Sequence, residues 1–378
     1  SIPDAVAVLD PKRIDCEYPF KELCGCGIGF KLIQALQSKM KLPEKELIGY
    51  LDLVAIAIAA DIVPIVGENR VLTFFGMKQL QTYPRLGFQI FLKEFKKPLK
   101  VTDLVFVIAP RINAAGRMDK GLNAVELMLC SEKQEAISIA GKIEFYNNER
   151  RNTEEVITKE AFKQIEFEEA IDNSTSIVYN PSWHKGVIGI VASRMIEKYY
   201  RPTIVLTKSG NVLAGSVRSV SGFDVYKALE ACKDSIIQFG GHKYAAGLTL
   251  KIEQLSKFKK TFEQYTKVNI LPECKIPSIE YDLDLKFSDL SSKLFRIINQ
   301  MAPFGPKNMQ PVFATHNCID MGRTRVVGKE KTHLHLDIAD STGIRFSGIG
   351  YGFGYLFKEI KHSNSFSILY NIEENKFR

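Results

Sequence analysis

The stretch from Gln238 to Leu250, QFGGHKYAAGLTL, sets Gly240 and Gly241 directly before His242 and Lys243, then runs into Ala245, Ala246 and Gly247. Glycine is the most conformationally free residue, so a pair of them costs chain entropy unless the backbone must bend sharply or let a ligand come close. The cationic donors beside the pair make that ligand an anion. The other reading is a tight turn into a strand with His242 hydrogen-bonded in the core, although a turn needs neither the histidine nor the small run after it.

Three more clusters suit the same chemistry. In GSVRS, Gly215 to Ser219, alternate residues of an extended segment share a face, so Ser216 and Arg218 point one way and Val217 and Ser219 the other. One strand end can then offer a hydroxyl and a guanidinium to a single phosphate. In PRINAAGR, Pro110 to Arg117, the residues Arg111, Asn113 and Arg117 surround two alanines and a glycine. Small residues permit close approach and fork-shaped guanidiniums suit phosphate, whereas a helix starting after Pro110 with surface arginines is the competing reading. WHKGVIGIVASR, Trp183 to Arg194, follows a strand pattern and opens a helical one, and amides at a helix N-terminus attract anions. It is not a P-loop, because no Gly-Lys-Ser/Thr follows, and a buried Trp183 with a capping His184 reads the same residues structurally.

One carboxylate stands apart. Asp61 lies in LDLVAIAIAADIVPIVG, an apolar stretch expected to be helical until Pro64 ends it. A lone buried carboxylate is costly unless it is paired or holds a metal. Asp61 is therefore either a metal ligand or a helix-end residue that reaches water or a backbone amide.

The elements that must carry these groups follow from pattern. Residues 1 to about 130 mix apolar runs with Gly and Pro breaks, as alternating helices and strands would. Ser131 to Glu169 contains no proline and one glycine, is dense in Glu, Lys, Gln and Ala, and spaces its apolar residues helically. It reads as one long helix or two joined end to end, polar enough to bridge domains. From Ser176, SIVYN reads as a strand, GVIGIVASRMIEKYY as a helix, TIVLT and VLAGSVRS as strands and GFDVYKALEAC as a helix, with the glycine loop next: a compact α/β domain. LPECKIPS, Leu271 to Ser278, interrupts with two prolines, and HLHLDIAD, IRFSGIG and SFSILYNIEEN then read as strands of a small β domain of barrel type.

Bulk properties bound the possibilities. A length of 378 residues suffices for about two to three domains, and 45% hydrophobic with 25% charged residues is ordinary globular usage. The net charge of +8, from 51 Lys+Arg and 43 Asp+Glu, is compatible with a polyanion partner without demanding one. Seven cysteines make no even framework, and Cys24-x-Cys26 lacks the second pair a zinc site needs. A reduced, cytoplasmic protein is expected. No secretory pattern opens these residues, and Asp61 and Pro64 break the longest apolar run, so no membrane span is expected.

Taken in order, YPFKELCGCGIGFKL, DLVAIAIAADIVPI, PRINAAGR, WHKGVIGIVASR, GSVRS, FGGHKYAAG and APFGPKNMQPVF resemble the RecJ single-stranded-DNA exonucleases of the DHH phosphoesterase superfamily, over almost all 378 residues. The resemblance implies a multidomain α/β fold. Residues 1–130 would be the C-terminal part of a DHH domain, 131–170 a connecting helix, 171–270 a DHH-associated (DHHA1) α/β domain and 275–378 an OB-type β-barrel. It implies hydrolysis of single-stranded DNA from the 5′ end with Mn2+ or Mg2+, in DNA repair and recombination, and leaves room for a helicase or single-strand-binding protein as partner. Two adjacent metals would activate water and steady the leaving oxygen, and an OB barrel adds grip on a single strand. The resemblance makes Asp61 a metal ligand and gives Ser216, Arg218, Gly240, Gly241 and His242 to the terminal phosphate and backbone. Arg111, Asn113, Arg117, His184 and Ser219 complete the expected nucleic-acid contacts.

The chain departs from the family in one respect. It contains no Asp-His-His triplet, and its one Asp-x-Asp, Asp282 to Asp284 in EYDLDLKF, lies after the proline linker and reads as a barrel strand. SIPDAVAVLDPKRIDCEYPF resembles the segment just after the triplet, so the expectation is a chain cut there and ending within the barrel region. Such a piece would bind nucleic acid weakly and cleave it little or not at all. Two alternatives stand beside this reading. A non-catalytic single-stranded nucleic-acid-binding module fits the missing motifs; a DHH-type phosphodiesterase on short oligonucleotides fits less well, since it needs neither the connector nor the β domain.

Overall fold

The computed structural model describes residues 3–43, 45–93, 95, 97–118, 121–167 and 170–375. Packing divides the chain into two compact units, one of Arg85–Phe95 with Val107–Ser278 and the other of Ser1–Pro84, Lys96–Phe106 and Ile279–Arg378.

The first unit is built on a five-stranded sheet. Strand β1 (Ser176–Tyr179) runs parallel to β2 (Thr203–Ser209), joined by the crossover helix Ile188–Tyr199 that a parallel pair requires. Strands β3 (Val212–Arg218), β4 (Gln238–His242) and β5 (Ala245–Leu250) complete the order β1-β2-β3-β5-β4 with antiparallel pairings. One face of the sheet buries Ile204, Leu206, Leu213, Val217 and Leu248 with Phe258 and Phe262 of helix Leu255–Asn269. On the other, Val178 and Val205 pack with Val191 and Met195 of the crossover helix and with Ile157, Ala161 and Ile165.

Those last three belong to a single helix, Lys133–Phe167, 35 residues and about 50 Å long. The expected connector is therefore one helix and not two; its last expected positions, 168 and 169, lie outside the described residues. Its N-terminal half packs Ala136, Ile139, Ala140 and Ile143 against Ala115, Ala124 and Leu127. PRINAAGR falls within helix Ala109–Met118. A wide π-helical turn over Leu104–Ile108 precedes it and accommodates the N–H that Pro110 lacks.

In the second unit, the described residues before the long helix form helices only, which corrects the expected alternation with strands. The reason is the character of the apolar runs. Helix Leu51–Ala60 is buried nearly all round, and a short unbroken apolar run carries no period that separates a buried helix from a buried strand. It lies so close to helix Gly67–Thr82 that a Cβ at Gly76 would overlap the Leu51 carbonyl and sit 2.6 Å from Ala55 Cβ. The APFGPKNMQPVF loop docks on the connection between these helices. Ile65 N donates to Pro306 O at 2.7 Å, and Arg70 Nη2 donates to Met301 O at 3.0 Å.

The same unit holds the β domain: β6 (Leu283–Asp284), β7 (Phe313–Asp320), β8 (Arg325–Val327), β9 (His333–Ala339), β10 (Arg345–Gly350) and β11 (Phe366–Tyr370). Its antiparallel path is β10-β9-β7-β11, with β6 parallel to β7 and β8 on β9, over a core of Phe287, Cys318 and Ile338. The Asp-x-Asp pair is held inside this domain: Asp282 Oδ2 accepts from Val312 N at 2.9 Å, and Asp284 Oδ1 meets His316 Nε2 at 3.0 Å. None of the seven cysteines is in a disulfide, and no helix among the described residues is long and apolar enough to cross a membrane.

Candidate functional site

Strand register brings Val205, Ser216, Gly247 and Gly240 side by side across β2, β3, β5 and β4. Above Gly240 nothing lies within 4 Å of where a Cβ would stand, and above Gly247 only the Gly215 carbonyl does, at 3.9 Å. The two glycines thus leave an open floor beside the Ser216 hydroxyl. Gly241 is different. At φ +149° a side chain is strained, and its Cβ would overlap the Ala245 carbonyl and fall 2.5 Å from Ala246 Cα. The sequence reading gave both glycines of the pair to ligand approach. The hairpin claims Gly241 for itself and pairs Gly240 with Gly247 instead. Nor is this segment a loop, because β4, a turn at Lys243 and Tyr244, and β5 run through it.

Arg218 stands on the same face as Ser216. Its Nη1 donates to Ser216 Oγ at 3.2 Å and to Val217 O at 2.9 Å. Burial pushes this guanidinium below its ordinary value, the charge of Arg117 pushes it further, and no carboxylate among the described residues counters them. A desolvated cation without a counter-charge is costly, and a bound anion removes the cost. The first turn of the crossover helix lies over the pair: a Cβ at Gly189 would meet Ser216 Oγ at 3.0 Å and Arg218 Nη2 at 3.1 Å.

Arg117 reaches this region from the end of its helix. Its Nη1 donates to Gly186 O at 3.0 Å, and Gly186 has no room for a Cβ because the Arg117 carbonyl stands 2.6 Å away. Asn113, four residues earlier, is exposed on the same helix face. His184 is exposed, and its Nδ1 accepts from Gly186 N at 3.2 Å, a capping role. Trp183 is buried and donates from Nε1 to Glu160 Oε2 at 2.7 Å. His242 is exposed at the hairpin turn, where its Nδ1 accepts from Tyr244 N at 3.3 Å.

Two expected contacts are engaged elsewhere. Arg111 ties its helix to the long helix through Glu144 Oε2 at 2.6 Å, donates to Val107 O at 2.8 Å and lies over the Phe91 ring. Ser219 Oγ donates to Phe223 O at 2.9 Å within the turn after β3. Both residue types suit phosphate, and their partners come from segments that spacing does not reveal.

Asp61 belongs to the other unit and caps the C-terminus of helix Leu51–Ala60, its N–H donating to Ala57 O at 2.9 Å. The residue is exposed, so the burial cost argued from composition does not arise. Ile62 beside it takes φ +54°, a left-handed conformation unfavourable for a β-branched residue. Among the described residues no group of three His, Cys, Asp or Glu could hold a metal ion. Asp61 supplies one hard oxygen donor, and these residues do not assemble a metal centre around it.

Sequence reasoning passed over Gly189 and a polar group on the long helix formed by Asn147, Arg150 and Glu154. The last was detectable, because those residues occupy the apolar stripe of that helix.

Two family models match the chain, one described as DHHA1 domain over residues 173–268 and one as RecJ OB domain over residues 281–378. The single-stranded-DNA-specific exonuclease RecJ of Bacillus subtilis is 32% identical over 381 residues, covering 100% of this chain and 47% of that protein. RecJ of Haemophilus influenzae is 30% identical over 405 residues, covering 100% of this chain and 69% of that protein. The crystal structure of Thermus thermophilus RecJ in complex with Mn2+ superposes with a TM-score of 0.77 at 28% identity, over 88% of this chain and 48% of that one. The chain spans about half the length of the Bacillus protein and about two thirds of the Haemophilus protein. Similarity that runs through both units, with DHHA1 and OB domains in sequence, settles descent: the chain belongs to the RecJ family of single-stranded-DNA-specific exonucleases.

Proposed function

We propose that this chain supplies the strand-holding part of a 5′-to-3′ single-stranded-DNA exonuclease and that Ser216 and Arg218 receive the 5′-terminal phosphate. The observation that carries this reading is the half-buried Arg218 guanidinium, hydrogen-bonded to Ser216 beside the open Gly240–Gly247 floor and paired with no carboxylate among the described residues. Phosphate oxygens would accept from Arg218 and Ser216, with Arg117 adding charge from the end of helix Ala109–Met118. The glycine floor would let the sugar-phosphate chain lie against the sheet. Such contacts grip backbone without reading bases, as an exonuclease of general sequence range needs. Asn113, His184 and His242 are exposed donors available to the following nucleotides.

Hydrolysis belongs to the whole protein and is part of the same proposal, with Mn2+ or Mg2+ as its metal and Asp61 as the ligand this chain contributes. A divalent metal would supply an activated water and charge stabilisation. Work in repair and recombination, a cytoplasmic setting and a helicase or single-strand-binding partner follow the family and are proposed with it. The residues of this chain alone should bind and not cut. The second reading, a binding module without catalysis, draws on the lack of any three-residue metal cluster among the described residues.

The test is one assay on the purified chain with Mn2+ and labelled strands bearing a 5′-phosphate or a 5′-hydroxyl. The phosphorylated strand should bind more tightly and remain uncut, and Arg218→Ala should erase that preference. Equal losses for both strands would remove the 5′-phosphate role. Cleavage that Asp61→Ala abolishes would overturn the assignment of this chain to binding alone.

A further inference from the structure

The buried stripe of the long helix runs through Ala136, Ile139, Ala140 and Ile143 and resumes at Ile157, Ala161 and Ile165. Between these apolar halves, at the same three- and four-residue steps, stand Asn147, Arg150 and Glu154. Asn147 is fully buried, and the Arg150 and Glu154 side chains each keep 12% of their exposure. Arg150 Nη2 donates to Asn147 Oδ1 at 3.1 Å and Nη1 to Glu154 Oε2 at 3.4 Å. The other Glu154 oxygen accepts from Arg194 Nε at 3.0 Å, on the crossover helix. Two buried donors, Arg150 Nε and Asn147 Nδ2, meet no acceptor among the described residues.

Stability does not explain this group. Charges set into an apolar seam are commonly matched or bettered by apolar residues of similar volume, and unmet buried donors add a further cost. Position offers an explanation. The crossover helix that Arg194 anchors is the one whose first turn lies over Ser216 and Arg218. Burial pushes the Arg150 guanidinium below its ordinary value, Glu154 opposes this, and the charges of Arg151, Arg117 and Arg194 add to it; Arg117 likewise adds to the lowering of Arg218 by burial. Arg150 is thus linked through Glu154 to Arg194, on the helix whose Gly189 adjoins Ser216 and Arg218, with both of its terminal nitrogens already occupied.

We propose that Arg150 is a positioning residue for the anion site: it does not touch the ligand, and its charge, offset by Glu154, sets how tightly Arg117 and Arg218 hold a phosphate. This rests on the reading of Ser216 and Arg218 as a phosphate site. The two partners of the ion pair then act in opposite directions. Removing the Arg150 charge weakens phosphate binding, and removing the Glu154 charge leaves Arg150 and Arg194 less compensated and strengthens it. A purely structural role makes no such distinction, because either change breaks the same pair.

The experiment measures binding of 5′-phosphorylated and 5′-hydroxyl oligothymidylate to the whole chain by fluorescence anisotropy, with thermal melting alongside. Arg150→Gln should weaken the phosphorylated strand about fivefold, the scale of a partly screened charge, and the hydroxyl strand less. Arg150→Lys should restore most of the loss, and Glu154→Gln should tighten the phosphorylated strand. Weakening by both glutamine variants in step with their melting temperatures, or no change in either, overturns the proposal. Should Arg150→Gln not fold, the sign of the Glu154→Gln effect decides alone. Arg218→Ala is the separate control. If it spares the phosphate preference, the site reading fails; if it erases the preference while the two glutamine variants move together, only the role of Arg150 fails.

Discussion

A Cβ added at Gly241 would press on the Ala245 carbonyl and Ala246 Cα, backbone atoms of the neighbouring strand that cannot swing aside. At Gly240, one residue earlier, the same atom would meet nothing within 4 Å. The two positions should therefore separate in experiment. Gly241→Ala should cost roughly 1–3 kcal/mol of stability, the scale of a strained backbone position, and lower the melting temperature. Gly240→Ala should melt with the parent and bind single strands less well, because its methyl group would occupy the floor where a strand lies. Undiminished affinity of a folded Gly240→Ala variant would show that the floor is not used. The sequence reading singled out the dipeptide as one unit and could not divide it. A positive φ depends on the hairpin register, and the register depends on β5. The same limit applies to Arg111 and Ser219, whose side-chain chemistry is legible and whose partners Glu144 and Phe223 are supplied by packing and a turn.

The crossover helix illustrates how one element positions several groups at once. It opens through Gly189 onto Ser216 and Arg218, buries Val191 and Met195 against the sheet, and turns Arg194 outward to Glu154. Adding a methyl at Gly189 would crowd Ser216 Oγ and Arg218 Nη2 by a few tenths of an ångström, and the guanidinium is the partner free to yield. Gly189→Ala should therefore leave the melting temperature nearly unchanged while weakening 5′-phosphate binding about three- to tenfold, as expected for a displaced charge-assisted hydrogen bond. Equal affinity in parent and variant would mean that Arg218 need not sit where it does. At this scale the sequence was informative where apolar spacing was regular. The long helix spaces its apolar residues helically, β9 alternates apolar with polar residues and β11 alternates in burial, while β1 and β2 are short apolar runs set off by their polar and turn flanks. The hairpin β4–β5 was indistinct because Gly240, Gly241, Ala245, Ala246 and Gly247 are all small and leave little apolar contrast. Helix Leu51–Ala60 was indistinct for the opposite reason, being apolar on every side.

At the scale of the whole molecule, 51 cationic side chains among 43 anionic ones leave a net charge of +8, too mild to hold a polyanion by general attraction alone. If the grip is local, few counterions leave the strand on binding. With Arg117 and Arg218 as the phosphate contacts, the slope of log K against log salt should be about −1.4, at about −0.7 for each phosphate neutralised on a single strand. Titrations over roughly 50 to 300 mM salt would measure it, and Arg218→Ala should make the slope shallower by about 0.7. A slope of about −4 or steeper, unmoved by Arg218→Ala, would place the grip elsewhere. The β domain is where we would then look, since its exposed Phe346, Tyr351 and Tyr355 offer rings on which bases could stack. Stacking and ion pairing answer salt differently. A contribution from those rings would persist at high salt, where the phosphate contacts fade, and would appear as a residual affinity common to 5′-phosphate and 5′-hydroxyl strands.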